Sequence, residues 1–144
     1  MDSARADAFT SFFERIAASD WDALPSFFAP GAEWNVGPAS VAKDLPNEGK
    51  VDAQGVVEVL KLVRGSILAE AKGLEVHQMV QGGDSLAARC TNHGTAADGE
   101  LFDLPVIFFI DFEPGTSKFK KGVEMVDSAY CLAAFARLKG TESQ

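Results

Sequence analysis

The chain has 144 residues, 47% hydrophobic and 24% charged, which is the composition of one ordinary globular domain spanning 1–144. Its formal net charge of −8 argues against nucleic acid and against an anionic membrane surface, since both need clustered Lys and Arg. No apolar run reaches the length of a spanning helix, and the MDSARADAF start has an acid at position 2 and no apolar leader core. Cys90 and Cys131 lack any metal or redox spacing, so they read as free, buried thiols in a reducing compartment. A cytoplasmic location is the expectation.

Residues 3–18 read as the first helix. Phe9, Phe12, Phe13, Ile16 and Ala17 recur at i, i+3, i+4, i+7 and i+8, and Ser3 is a plausible N-cap. Ser19-Asp20 ends it and caps a second, short helix that buries Trp21, Leu24, Phe27 and Phe28. Pro25 within it predicts a tight, 3₁₀-like turn, ended by Pro30-Gly31. Ala32–Val36 is a short strand. The connection 37–51, with Pro38, Pro46, Asn47 and Gly49, is long enough to suggest a lid over a pocket, with a solvated loop as the alternative. Asp52 caps a third helix over roughly 53–71, with Val56, Leu60, Val63 and Ile67 as its stripe, Val59 and Leu62 widening it, and Gly73 closing it.

Four strands follow: 74–81, 85–96, 100–113 and 118 to about 135, the last with its end helical or a tail. Gly82-Gly83-Asp84, Asp98-Gly99 and Pro114-Gly115 are the turns between them. The third strand is apolar at both parities, with Leu104, Val106, Phe108 and Ile110 on one and Ile107 and Phe109 on the other. A strand apolar on both faces is covered on both. Helices cover one, and the expectation for the other is a second copy, making a homodimer through the outer face of the sheet. The order α-α-β-α-β-β-β-β is segregated, hence α+β: a strongly bent antiparallel sheet wrapped around three N-terminal helices, a cone with an apolar pocket inside.

The segments ASDWDALPSFFAPGAEW, LEVHQMVQGGDSLAARCTNHGT and KFKKGVEMVDSA resemble the nuclear transport factor 2-like superfamily, most closely its SnoaL-like polyketide cyclase branch. The resemblance covers nearly the whole chain, and its motifs are structural punctuation that carries fold better than chemistry. Carried over residue by residue, the catalytic Tyr and two Asp of a ketosteroid isomerase fall on Phe12, Val36 and about Phe108, all apolar. The Tyr-Asp pair of a scytalone dehydratase falls near Ile16-Ala17, and the His that often follows Gly-Thr in SnoaL-type cyclases falls on Ala96. Limonene epoxide hydrolases fit in part. Their strand acid falls on His93, their last-strand acid on Glu124, the intervening Arg on Thr91 and a first-strand aromatic on Trp34.

Alternation along a strand puts Arg89, Thr91 and His93 on one face, and Glu124, Val126 and Ser128 on another. With the register that the resemblance implies, both sets point into the cone, against a wall of Leu104, Val106 and Phe108. His93 and Glu124 are then the candidate acid–base pair. In the competing reading, His93 bonds a strand end, and Glu124 is a solvated charge near Lys118, Lys120 and Lys121. Trp34, Thr91, Phe12, Leu104, Phe108 and Tyr130 are the candidate substrate-binding residues, with Tyr130 at the cone mouth. His77 reads as a surface or interface residue and Asp127 as a backbone cap. Asp103 and Asp111 have outward parity. The spacing of histidines, cysteines and acids makes no metal site, and no phosphate loop or dinucleotide fingerprint is present.

The expected activity is therefore a cofactor-independent isomerisation, cyclisation or dehydration of a hydrophobic, polyketide- or terpenoid-like molecule. Epoxide hydrolysis in the same pocket and a non-catalytic binding or dimerisation module are the alternatives.

Overall fold

A computed structural model describes residues 2–142, with side chains through residue 140; residues 1, 143 and 144 of the expected domain lie outside the described residues. Helix α1 spans Ser3–Ala17. Its N-cap is Asp2 rather than Ser3, because the Asp2 carboxylate accepts from the Arg5 backbone N–H at 3.2 Å. Trp21–Phe27 is a 3₁₀ helix, as Pro25 predicts. The chain turns extended at Phe28, earlier than Pro30-Gly31, and strand β1 runs Phe28–Gly37.

The segment 37–51 is not an open loop. It holds α2 (Ala39–Ala42), a 3₁₀ turn at Pro46–Gly49 and the two-residue strand β2 (Lys50–Val51). Val41 and Ala42 are buried. Helix α3 (Ala53–Ser66) starts at the expected Asp52 cap, whose carboxylate accepts from Gly55 N–H at 2.8 Å. It ends five residues before the expected limit, since β3 begins at Leu68 and runs to Gly82. Gly73 is a bulge inside β3 with φ 125°, not a helix cap. Leu62, read as part of the buried stripe, is exposed.

Strands β4 (Ser85–Ala96), β5 (Leu101–Phe112) and β6 (Phe119–Val126) complete the sheet. The last predicted strand stops at Val126, and α4 (Ser128–Glu142) follows. Asp127 caps it, accepting from the Tyr130 backbone N–H at 3.0 Å. Cys131, Ala134 and Leu138, at i, i+3 and i+7, bury against Val41, Phe102 and Leu104.

The class is α+β, as expected. The six strands among the described residues form a curled, unclosed sheet in the order β2-β1-β6-β5-β4-β3. The β3–β4, β4–β5 and β5–β6 pairs are antiparallel. The β1–β6 pair departs from the expectation and is parallel, so the long path through β2–β5 returns beside the first strand. Phe9 and Phe12 of α1 sink into the concave face against Trp34, Phe108 and Phe119, with ring centroids 5.2–5.9 Å apart. Such aromatic pairs add about 0.5–1.5 kcal/mol each beyond area burial.

Arg5 is a charged residue buried along its whole length, 7% exposed. It ties α1 to two hairpin turns: its guanidinium donates to Asp84 Oδ1 at 3.0 Å, Thr116 O at 3.0 Å and Gly83 O at 3.3 Å, and lies 4.9 Å from the Phe112 ring.

A candidate small-molecule cavity

Between α1, α3, α4 and the concave sheet lies a cavity of about 140 Å³. That is room for on the order of ten water-sized groups. Phe13 and Ile16 of α1, Leu60 and Val63 of α3, Leu74 of β3 and Leu104 of β5 make its greasy wall. Val41 and Leu45 bring the 37–51 segment into that wall. The conspicuous polar side chains on it are Glu124, Asn92 and Arg64.

Glu124 lies in mid-β6, opposite Phe108 of β5 and Val36 of β1. Trp34 Nε1–H donates to Glu124 Oε1 at 3.1 Å. Burial pushes the Glu124 carboxyl above its ordinary value of 4.5, and the Trp34 bond works against that rise. No cation contributes to the balance. Cys131 also faces the cavity, but burial, and then the charges of Glu124 and Asp127, push its thiol up to about 11. It is therefore a neutral wall atom rather than a nucleophile.

His93 is not Glu124's partner. On β4 the inward parity is Leu86, Ala88 and Cys90, all buried, followed by the cavity-lining Asn92. His93 and Thr91 therefore stand on the outer face. His93 Nδ1 is 2.7 Å from Asp103 Oδ1 and its Nε2 is 2.8 Å from Glu75 Oε1. As an imidazolium it donates to both, and these bonds, Asp103's first, raise its pKa above 6.5. Thr91 Oγ1 is bonded instead to His77 Nε2 at 2.7 Å. Water activation by a His93–Glu124 pair has no geometry to support it.

The other expected positions divide. Leu104 lines the cavity. Trp34 does so only indirectly, by holding Glu124. Phe12 and Phe108 are fully packed core rings beneath the cavity; Phe13, one residue on, is the ring that faces it. Tyr130 is turned to the edge of β5, where its hydroxyl accepts from Asp103 N–H at 2.7 Å and its ring packs on Phe102. The cavity also brings in Asn92, Arg64, Phe13 and Leu74, which the sequence does not single out as site residues. Among the described residues, no group of three or more His, Cys, Asp and Glu side chains is placed to hold a metal ion, and no helix is long and apolar enough to cross a membrane.

The fold is similar to that of IdmH from Streptomyces antibioticus, a proposed polyketide cyclase, with TM-score 0.73 and 20% identity over 92% of this chain and 98% of that one. PrhC from Penicillium brasilianum superposes at TM-score 0.82 with 12% identity, covering 97% and 91%. TerC, co-crystallised with polyporic acid, superposes at 0.74 with 20% identity, covering 94% and 97%. At these identities the likeness carries the fold alone. No curated protein matches the sequence. Residues 9–117 match the SnoaL-like domain, and the chain belongs to that family.

Proposed function

We propose that this protein is a cofactor-independent enzyme that isomerises or cyclises a small, hydrophobic, oxygenated molecule by proton transfer at Glu124. The observation that carries the reading is one carboxyl, anchored by Trp34, facing a largely apolar cavity. Burial raises its pKa above the ordinary carboxylate value and so favours the protonated acid, the form that starts the proton transfer. The neutral acid protonates a ketone oxygen. The resulting carboxylate, stabilised by the indole N–H, removes a proton from the adjacent carbon and leaves the enol.

Cavity size favours a one- or two-ring polyketide- or terpenoid-like substrate. The SnoaL-like family and the description of IdmH as a proposed polyketide cyclase agree with a polyketide-like substrate. An open cavity also favours an enzyme over a purely structural module, whose interior would be filled.

The test is hydrogen–deuterium exchange at carbon in cyclic β-diketones and phenolic ketones, followed by NMR in deuterated buffer. The wild type exchanges the acidic C–H, and Glu124→Gln loses on the order of 10²-fold or more. Equal rates in a folded Glu124→Gln variant remove Glu124 from the mechanism. A ligand that fills the cavity without exchanging makes the protein a binder.

A further inference from the structure

Arg64 stands in the last turn of α3 and lines the same cavity. Its Nη1 donates to Leu68 O at 3.0 Å and to Ala69 O, which pins the guanidinium across the junction between α3 and β3. Its Nε–H is buried and has no hydrogen-bond partner among the described residues. No carboxylate there forms an ion pair with it. That includes the Glu124 carboxyl, whose hydrogen-bond partner is the Trp34 indole. A cation in an apolar wall, with an unused donor in a fixed fork, is short of an acceptor.

Asn92 is the other open polar group. It lies opposite Leu74 on β3, and its carboxamide is bonded to no side chain or backbone group among the described residues. Along the sheet it sits two strands across and four residues along from the Glu124 row, as the pairings Asn92–Leu104 and Phe108–Glu124 fix. At roughly 3.3 Å per residue and 4.8 Å per strand, the two lie at different ends of the cavity.

From this arrangement we infer that the cavity holds an anion subsite: Arg64 Nε–H binds a carboxylate or enolate oxygen of the substrate, with Asn92 as a second polar contact further along the wall, away from the proton-transfer end at Glu124. The substrate is then an acidic, elongated molecule, anchored by its anionic oxygen at one end and reacting at the other. This rests on the cavity being the ligand site proposed above, and it adds the charge and polarity of what enters.

The test uses binding, not turnover. trans-Cinnamate and its neutral counterpart cinnamyl alcohol are titrated into the full chain near pH 7, with affinity read from backbone amide NMR shifts. Cinnamate binds at least about tenfold tighter than the alcohol, and the Arg64 Nε–H cross-peak moves with cinnamate only. Arg64→Met, checked for folding by its amide spectrum, brings the two ligands to parity; Glu124→Gln leaves the preference intact. The Nε–H readout needs no substitution, so it stands even if Arg64→Met is poorly folded. Equal affinities, a preference that survives in Arg64→Met, an unmoved Nε–H peak at saturation or no binding of either probe each overturn the subsite. Loss of the preference argument leaves the exchange test at Glu124 standing, and the reverse holds too.

Discussion

Trp34 and Gly122 lie side by side on β1 and β6, and the indole occupies the space a side chain at 122 would need. A Cβ on Gly122 would come within 2.1 Å of Trp34 Cε3. The bare backbone lets the ring lie flat on β6 and reach Glu124, two residues further along the same face. Gly122→Ala must therefore displace the ring, at an overpacking cost of about 1–3 kcal/mol. Urea denaturation and the Trp34 Nε1–H resonance check this. An unchanged midpoint together with an unchanged resonance would sink the claim.

Glu124 gives stability a pH dependence whose sign can be worked out. Its folded pKa is raised above the ordinary 4.5. Below that value both folded and unfolded chains carry the proton, and the contribution is fully present. As pH rises through the window between 4.5 and the folded value, the unfolded chain ionises first and stability is lost. Glu124→Gln keeps an acceptor for Trp34 but cannot titrate, so it gains on the wild type as pH rises and matches it in acid. Trp34→Phe removes the bond that lowers the pKa and carries the window to higher pH. Denaturation midpoints from about pH 4 to pH 9 measure all three proteins; a wild type–Gln difference that ignores pH would refute the account.

The outer-face histidine makes a separate prediction. Asp103 and Glu75 hold His93 on the charged side, and Glu124 faces the opposite surface of the sheet. Asp103→Asn therefore lowers the His93 pKa, Glu75→Gln lowers it less, and Glu124→Gln leaves it where it was. An NMR titration of the imidazole distinguishes these. A response to Glu124→Gln would place His93 back beside the cavity and overturn the assignment of faces.

That assignment also explains which parts of the molecule were legible in the sequence. Helices α1 and α3 followed from 3.6-residue stripes, and the hairpins from Gly-Gly-Asp and Asp-Gly turns, because those patterns depend on local geometry alone. The face of β4 was lost for a different reason. A one-residue slip turns every side chain over, and the family resemblance set the slip by placing a catalytic acid on His93. Leu86, Ala88 and Cys90, the apolar parity of the strand itself, carried the right answer and pointed to Asn92. Helix α4 was readable from Asp127 followed by the Cys131, Ala134 and Leu138 spacing. Arg64 was not readable, since nothing local distinguishes a C-terminal arginine on the solvent side from one folded over a cavity.

The convex face of the sheet leads to the last prediction. Val80, Phe109, Ile107 and Met125 stand exposed there, Phe109 at 54%, and register sets Ala87, Phe109 and Val123 in one row across β4, β5 and β6. The neighbouring row is Arg89, Ile107 and Met125. Charged groups flank the apolar band on both sides, His93 with Asp103 and Glu75 on one and Asp111 opposite Lys121 on the other. We propose that a second copy covers this band in a two-fold dimer, in which each face meets its own image. Covering side chains of this size that are already half buried stabilises by about 1 kcal/mol apiece, whereas an unpaired carboxylate at the centre costs several kcal/mol. Phe109→Glu therefore yields a folded monomer at concentrations where the wild type sediments as a dimer, with the cavity spectrum and the Trp34 resonance unchanged. A wild type that stays monomeric at high concentration, or a Phe109→Glu variant that still pairs, would show that the band is covered by something else or by nothing.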